Sequence, residues 1–159
     1  MNSGDYRIHQ LTPDDLALMD GLLATFGEVF DQPETYTGSP PDAGYMRQML
    51  ESDGFIALVA LKGGVVVGGL AAYELKKFEQ PRSEIYIYDL AVAEVHRRQG
   101  IATALIEQLK QIGTRRGAHA IFVQADTGEE DQAAIALYSK LGRREDVLHF
   151  DITLDGGGV

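Results

Sequence analysis

His96 to Ile106 is the part of this sequence best placed to do chemistry. It joins a strand-like run, Glu84 to Val92, to a helix-like one through a turn carrying Arg97, Arg98, Gln99 and Gly100. A turn of this kind leaves backbone N–H groups unpaired at a helix N-terminus, where they and the helix dipole favour an anion. Gly100 removes the side chain where an anion must approach the backbone, and Ala102 keeps the next position small. The turn alone is equally an ordinary helix start with surface arginines, so both readings stand at this point. Two phosphate patterns are excluded. No G-x-x-x-x-G-K-[ST] occurs, and the glycines between Gly63 and Gly69 sit in a hairpin rather than between strand and helix. Asp89 is the one charge in the apolar and aromatic run Ile85 to Val92, and Asp126, Glu129, Glu130 and Asp131 form an acidic cluster further on. The histidines His9, His96, His119 and His149 are scattered without metal-ligand spacing, and no serine lies in a nucleophile elbow.

The elements that must position these residues follow from periodicity. Tyr6 to Leu11 alternates as a first strand. Thr12-Pro13-Asp14-Asp15 reads as a helix start, with Thr12 as N-cap and Pro13 at the first helical position. Leu16, Met19, Leu22, Leu23, Phe26 and Phe30 then give one apolar helical face. Ser39-Pro40-Pro41-Asp42 opens a shorter helix with Tyr45, Met46, Met49 and Leu50 inward. Phe55 to Leu61 and Val65 to Leu75 are strands joined by a hairpin through Lys62-Gly63-Gly64.

The helix after the arginine turn is expected to bury Ala102, Leu105, Ile106, Leu109 and Ile112. Arg115 and Arg116 fall in its last turn, and Gly117 ends it. A strand over Ala120 to Ala125, a helix over Gln132 to Leu141 and a last strand over Val147 to Thr153 complete the order β-α-α-β-β-β-α-β-α-β. That order predicts an α/β fold with a mixed central sheet and helices on both faces. Residues 1–154 are expected to form one domain, with 155–159 as a flexible tail.

The 159 residues suffice to bury a core without metals or crosslinks, and the sequence has no cysteine, hence no disulfide and no thiol nucleophile. No apolar run reaches membrane-spanning length, and Met1 to Arg7 lacks the apolar core of a signal peptide, so a cytoplasmic location is expected. The formal net charge of −10 argues against a nucleic-acid partner. Acidity concentrates in residues 1–54, where ten acids face only Arg7 and Arg47, whereas residues 85–125 carry five basic residues against Asp89, Glu94 and Glu107. The acidic balance fits a cationic substrate, and equally mere solubility.

Arg97-x-x-Gly100-x-Ala102, following a strand that ends Asp89-Leu90-Ala91-Val92, resembles the acetyl-CoA motif of the GNAT N-acetyltransferase superfamily. Ala136-Leu137-Tyr138-Ser139-Lys140-Leu141-Gly142 resembles its second signature, and the element order is similar along nearly the whole chain. The run Lys77 to Val92, continued by His96 to Ile106, with Val123-Gln124-Ala125-Asp126 and His149-Phe150-Asp151-Ile152, looks like the type I aminoglycoside 3-N-acetyltransferases. Thr127 to Ala133 departs from that group in length and residues, which bears on substrate range rather than on the reaction.

The resemblance implies a GNAT fold whose central sheet contains a splayed strand pair, and acetyl-CoA as co-substrate with no metal. The strand end Leu90, Ala91 and Val92 would hold the pantetheine arm, chiefly through the backbone of Leu90 and Val92. The turn Arg97, Arg98, Gln99, Gly100, Ile101, Ala102 and Thr103 would seat the pyrophosphate. Tyr138 would be the general acid toward the departing thiolate; on periodicity alone it is a core tyrosine of the Ile135/Leu141 stripe. The amine must lose a proton before it attacks, so a carboxylate is needed nearby. Asp89 is the candidate, as base or as ammonium partner, against the alternative of a buried structural aspartate.

Asp126, Glu129 and Glu130, with Glu28 and Asp31 from the first helix, are the candidate contacts for a polycationic acceptor; a solvated acidic loop is the other reading. The implied activity is direct acetyl transfer to the 3-amino group of a 2-deoxystreptamine aminoglycoside, an antibiotic-resistance function, with a homodimer by analogy. Acetylation of a polyamine or protein amine, and a non-catalytic acetyl-CoA-binding module, are the competing readings.

Overall fold

A computed structural model describes residues 5–155, so the tail expected at 155–159 lies, beyond Asp155, outside the described residues. The chain divides into two compact units, residues 1–124 and 125–159. The first contains β1 (Arg7–Gln10), α1 (Leu16–Val29), α2 (Ala43–Glu51), β2 (Phe55–Lys62), β3 (Val65–Lys76), β4 (Ser83–Val92), α3 (Ile101–Arg116) and β5 (Ala118–Val123). The strands form one sheet in the order β1-β2-β3-β4-β5, antiparallel except for the parallel pair β4–β5. This is the expected mixed sheet. The β2–β3 hairpin turns on Gly63 and Gly64, whose positive φ values of 55° and 81° suit the tight turn read from the sequence.

Alternation along the strands divides the core into two layers. On one face α1 contributes Met19, Leu22 and Phe26 against Ala57, Val59, Leu61 and Ala91. The other face carries Leu58, Leu70 and Ile85, all fully buried, and α3 contributes Leu105, Leu109 and Ile112 there, with Gly113 lying against the tip of Ile85. Ile101 is buried at the start of α3 where Ala102 was expected, and Ala102 is half-buried. At the far end of α3 the Arg116 guanidinium donates to the Asp53 carbonyl at 2.6 Å and to Glu74 at 2.8 Å. Ser83 donates to the other Glu74 oxygen at 2.7 Å. Burial alone would raise the Glu74 carboxyl, but these donors outweigh it and hold it below the usual range.

Several local expectations are corrected. The helix predicted from Thr12 begins at Leu16, because the Asp15 carboxylate accepts from the Thr12 N–H and hydroxyl and from His9, folding Thr12 to Asp15 into a turn. The shorter helix is capped by Asp42, which accepts from the Tyr45 N–H, and Tyr45 points outward rather than into the core. β5 ends at Val123, not Ala125.

In the second unit the acidic cluster forms a single turn over Glu129–Asp131, and α4 spans Gln132–Leu141 as expected. Asp131 accepts from the Asp126 N–H at 2.8 Å, and Gln132 donates to the Thr127 and Gly128 carbonyls. The last strand predicted over Val147 to Thr153 is not formed: these residues are exposed and have no ladder partner among the described residues. A strand pattern supplies only half of a strand, because its N–H and C=O groups need another edge to become one.

Gly69 shows how closely α1 sits on the sheet. A Cβ there would lie 2.5 Å from the Leu58 carbonyl oxygen and nearer still to a methyl of Leu22. Gly69→Ala is expected to cost about 1–3 kcal/mol in urea unfolding as overpacking forces helix and sheet apart; an unchanged midpoint would show that this seam yields freely.

Candidate active site

β4 does not pair uniformly. Against β3 its register runs from Val92 opposite Gly68 to Asp89 opposite Ala71, then jumps to Ile87 opposite Ala72. Tyr88 is therefore the extra residue of a bulge. Pairing with β5 stops at Ile87, opposite Val123, so among the described residues β4 beyond the bulge has no strand on its other side. The Ala93 N–H donates to the Val67 carbonyl at 2.9 Å, which sets the alternation. Ala91 turns its backbone groups toward β3, whereas Leu90 and Val92 turn theirs to the open edge. The Val92 carbonyl accepts from Arg97 Nε at 3.1 Å. An extended chain can add itself to the remaining groups of this edge as a further strand would.

The open edge leads into the arginine turn. One helical turn over Glu94–His96 is followed by Arg98 at φ 63° and Gly100 at φ 79°. Gly100 is the N-cap of α3 and has no side chain to satisfy the first amides; the first helical bond runs from the Ala104 N–H to the Gly100 carbonyl. The amides of Ile101, Ala102 and Thr103 thus precede any intrahelical acceptor. Left-handed geometry at Arg98 is uncommon for a residue with a side chain and is the kind of local strain found at ligand sites. His96 Nδ1 is buried there without a hydrogen-bond partner among the described residues. Lys62, from the end of β2, reaches the Gln99 side chain at 2.6 Å. A third cation therefore stands at the turn beside Arg97 and Arg98. Free amides, cations and an orphaned imidazole nitrogen fit a bound polyanion.

Asp89 lies on the α1 face of the sheet, half-buried. The Tyr36 hydroxyl donates to its Oδ2 at 3.0 Å. Burial pushes the Asp89 carboxyl up, and the Tyr36 bond opposes it without cancelling it. The phenols of Tyr36, Tyr73 and Tyr86 are held above their ordinary value by burial first and by the nearby Asp89 charge besides, so they remain protonated donors at neutral pH. An aspartate that is partly desolvated, raised and ringed by neutral phenols suits proton exchange with a cationic acid.

Tyr36 is carried by a wide helical turn, Glu34–Gly38, that the sequence reading passed over. Its ring packs 5.7 Å from that of Phe26 and 5.9 Å from that of Phe30. Gly27 lets Pro33 and Tyr36 fold back on α1: a Cβ there would stand 3.3 Å from the Pro33 Cα and 3.5 Å from the Tyr36 Cβ. The Phe26 and Phe30 spacing was the available signal, but it pointed to a core rather than to a partner for Asp89. Lys62 was likewise absorbed into the hairpin.

Glu28 and Asp31 are exposed at the end of α1, with Asp31 at φ 53°. In the second unit Asp126, Glu129 and Glu130 are exposed. Tyr138 is half-buried on α4, and burial, with the Asp131 charge adding, pushes its phenol up to about 12.

The raised Asp89 carboxyl has a consequence for stability. Its protonated form is favoured by folding, so its contribution is full below the unfolded aspartate pKa of about 3.9 and is lost as pH rises through the folded value. Asp89→Asn is therefore expected to raise the melting temperature at neutral pH, with a gain that vanishes near pH 4 and below. Calorimetry at pH 7 and pH 4 checks this, and a variant no more stable than the parent at pH 7 would refute it.

The sequence pattern of the Acetyltransferase (GNAT) family matches residues 18–142. An aminoglycoside acetyltransferase, HMB0005, from an uncultured soil metagenomic sample is 69% identical, with 94% of this chain and 99% of that chain covered and a TM-score of 0.93. A second soil metagenomic aminoglycoside acetyltransferase, meta-AAC0020, solved in complex with sisomicin, is 33% identical over 98% of this chain and 100% of that chain, with a TM-score of 0.87. N-acetyltransferase family 8 member 2 of Rattus norvegicus is 36% identical over 84 residues, 53% of this chain and about a third (36%) of that protein's length. With the family pattern running from α1 through β4, the arginine turn and α4, this chain belongs to the GNAT acetyltransferase family.

Proposed function

We propose that this protein transfers the acetyl group of acetyl-CoA directly to the 3-amino group of a 2-deoxystreptamine aminoglycoside. The observation that carries the reading is the succession on β4 and α3 of a raised, phenol-ringed carboxylate, an open strand edge and a cationic helix start. Identity of 69% to an aminoglycoside acetyltransferase supports the acceptor class. The sequence resemblance to type I enzymes supports the 3-position. We treat residues 1–154 as one catalytic domain, since the family pattern crosses from the first unit into the second.

In this reading the pantetheine arm adds to the backbone of Leu90 and Val92, which orients the thioester. The pyrophosphate is held by the amides from Arg98 to Thr103, with Arg97, Arg98 and Lys62 supplying charge. Asp89 takes a proton from the acceptor ammonium, directly or through one water. The freed nitrogen pair attacks the thioester carbonyl, a C–N bond forms and the C–S bond breaks. The nitrogen loses its second proton as the amide forms, which in net replaces the proton that the phenol gives up. The departing thiolate receives its proton from Tyr138, whose raised value keeps the phenol protonated at neutral pH. Glu28, Asp31, Asp126, Glu129 and Glu130 meet the other ammonium groups.

We place the enzyme in the cytoplasm as a homodimer conferring antibiotic resistance. The exposed apolar residues Leu148, Phe150, Ile152 and Leu154, which alternate along a segment with no ladder partner among the described residues, support a second copy as partner. A monomer in light scattering at micromolar concentration would remove the dimer.

CoA release is measured with acetyl-CoA and a panel of aminoglycosides, spermidine and peptides, and the acetylated position is read by NMR. Turnover of spermidine with none of any aminoglycoside sinks the acceptor class, and acetylation at another amine sinks the 3-position. Tyr138→Phe is expected to lower kcat about 100-fold while leaving the KM for acetyl-CoA within about twofold; an unchanged kcat removes Tyr138 as the acid. Lys62→Met is expected to raise the KM for acetyl-CoA about tenfold with kcat preserved. An unchanged KM would confine Lys62 to holding Gln99.

A further inference from the structure

Five aromatic rings form a continuous row across four strands on the α1 face of the sheet. Phe55 of β2 lies 5.4 Å from Tyr73 of β3, and Tyr73 lies 5.8 Å from Tyr88 of β4. Tyr88 is 5.8 Å from Tyr86, which stacks on Phe122 of β5 at 4.7 Å with the planes 5° apart. The row is anchored at the β5 end, where the Tyr86 hydroxyl donates to the Gln124 side chain at 3.1 Å. At its centre Tyr88 stands edge-on to both neighbours, at 88° to Tyr73 and 73° to Tyr86, and remains 60% exposed.

Core packing does not account for this placement. Tyr88 is the bulged residue, and a bulge re-aims one side chain out of the regular alternation. Here it presents a ring to solvent immediately beside Asp89. The edge contacts to Tyr73 and Tyr86 lock the ring's angle, so little side-chain freedom is left to lose on binding. An aromatic face is electron-rich, and it attracts the polarised C–H groups of a saccharide or cyclitol face and any ammonium carried on it. The neighbouring Asp89 carboxylate and the Tyr36 and Tyr73 phenols provide the polar groups such a ring needs at its rim.

We propose that Tyr88 is the stacking platform for the acceptor ring whose amine is delivered to Asp89, and so selects cyclic polyamino acceptors over acyclic ones. The inference rests on the proposed aminoglycoside reading and adds the residue that recognises the ring. Tyr88 acts on binding, not on proton transfer, so it is a specificity residue rather than a catalytic one.

The test uses sisomicin and spermidine as acceptors with Tyr88→Phe, Tyr88→Leu and Tyr88→Trp. Tyr88→Leu is expected to raise the KM for sisomicin about tenfold while kcat and the KM for acetyl-CoA stay within about twofold. Tyr88→Phe keeps the ring and is expected to behave as the parent. The protein has no tryptophan, so Tyr88→Trp creates a single reporter whose emission is expected to shift saturably with sisomicin and not with spermidine. A sisomicin KM within about twofold of the parent in Tyr88→Leu, or an emission unmoved by sisomicin, overturns the platform. Failure of the aminoglycoside reading shows separately, as a parent protein that acetylates no aminoglycoside, and it overturns the platform with it.

Discussion

The loss of pairing between β4 and β5 at Tyr88 is the constraint on which the site depends. One extra residue in β4 shifts its register against β3, and the parallel ladder to β5 ends at the preceding residue. Everything before the bulge is an ordinary buried strand, with Ile85 and Ile87 in the core. Everything after it is a strand with one side unused. The bulge thus supplies an edge inside a sheet, without leaving a whole strand exposed to unwanted partners.

The two sides of that edge differ in charge. Toward the turn, three cations and a set of unpaired amides stand where β4 hands over to α3. Toward the α1 face, a desolvated aspartate sits among phenols that cannot themselves carry charge at neutral pH. On the proposed reading, the two environments separately suit a polyanionic donor and a polycationic acceptor. Six residues, from Leu90 to Val95, separate the aspartate from His96 at the turn, so the acidic and the cationic groups lie close together along one segment.

The site is held by packing on both sides of the sheet. α1 approaches closely enough that Gly69 cannot carry a side chain, and its end curls through Gly27 so that Tyr36 reaches Asp89. α3 is fixed at its far end by Arg116 on Glu74 and Asp53, which anchors the helix whose start carries the unpaired amides. Burial of Asp89 works against folding while it raises the carboxyl, which on the proposed reading suits proton exchange, the usual tension between stability and a reactive group.

The arginine turn, Asp89 and most elements were legible in the sequence because they rest on local rules. Helical periodicity, glycine at the end of α3, paired glycines in a hairpin and a lone charge in an apolar strand all act within a few residues. Expectations failed where a local signal met a competitor or lacked a partner. Asp15 took the Thr12 groups and delayed α1, and Val147 to Thr153 has the alternation of a strand but no ladder partner among the described residues. The bulge at Tyr88, the Tyr36–Asp89 bond and the arrival of Lys62 at the turn were decided by tertiary structure alone. Each joins residues far apart in the chain or depends on register between strands, and neither quantity is written in the order of side chains along one segment.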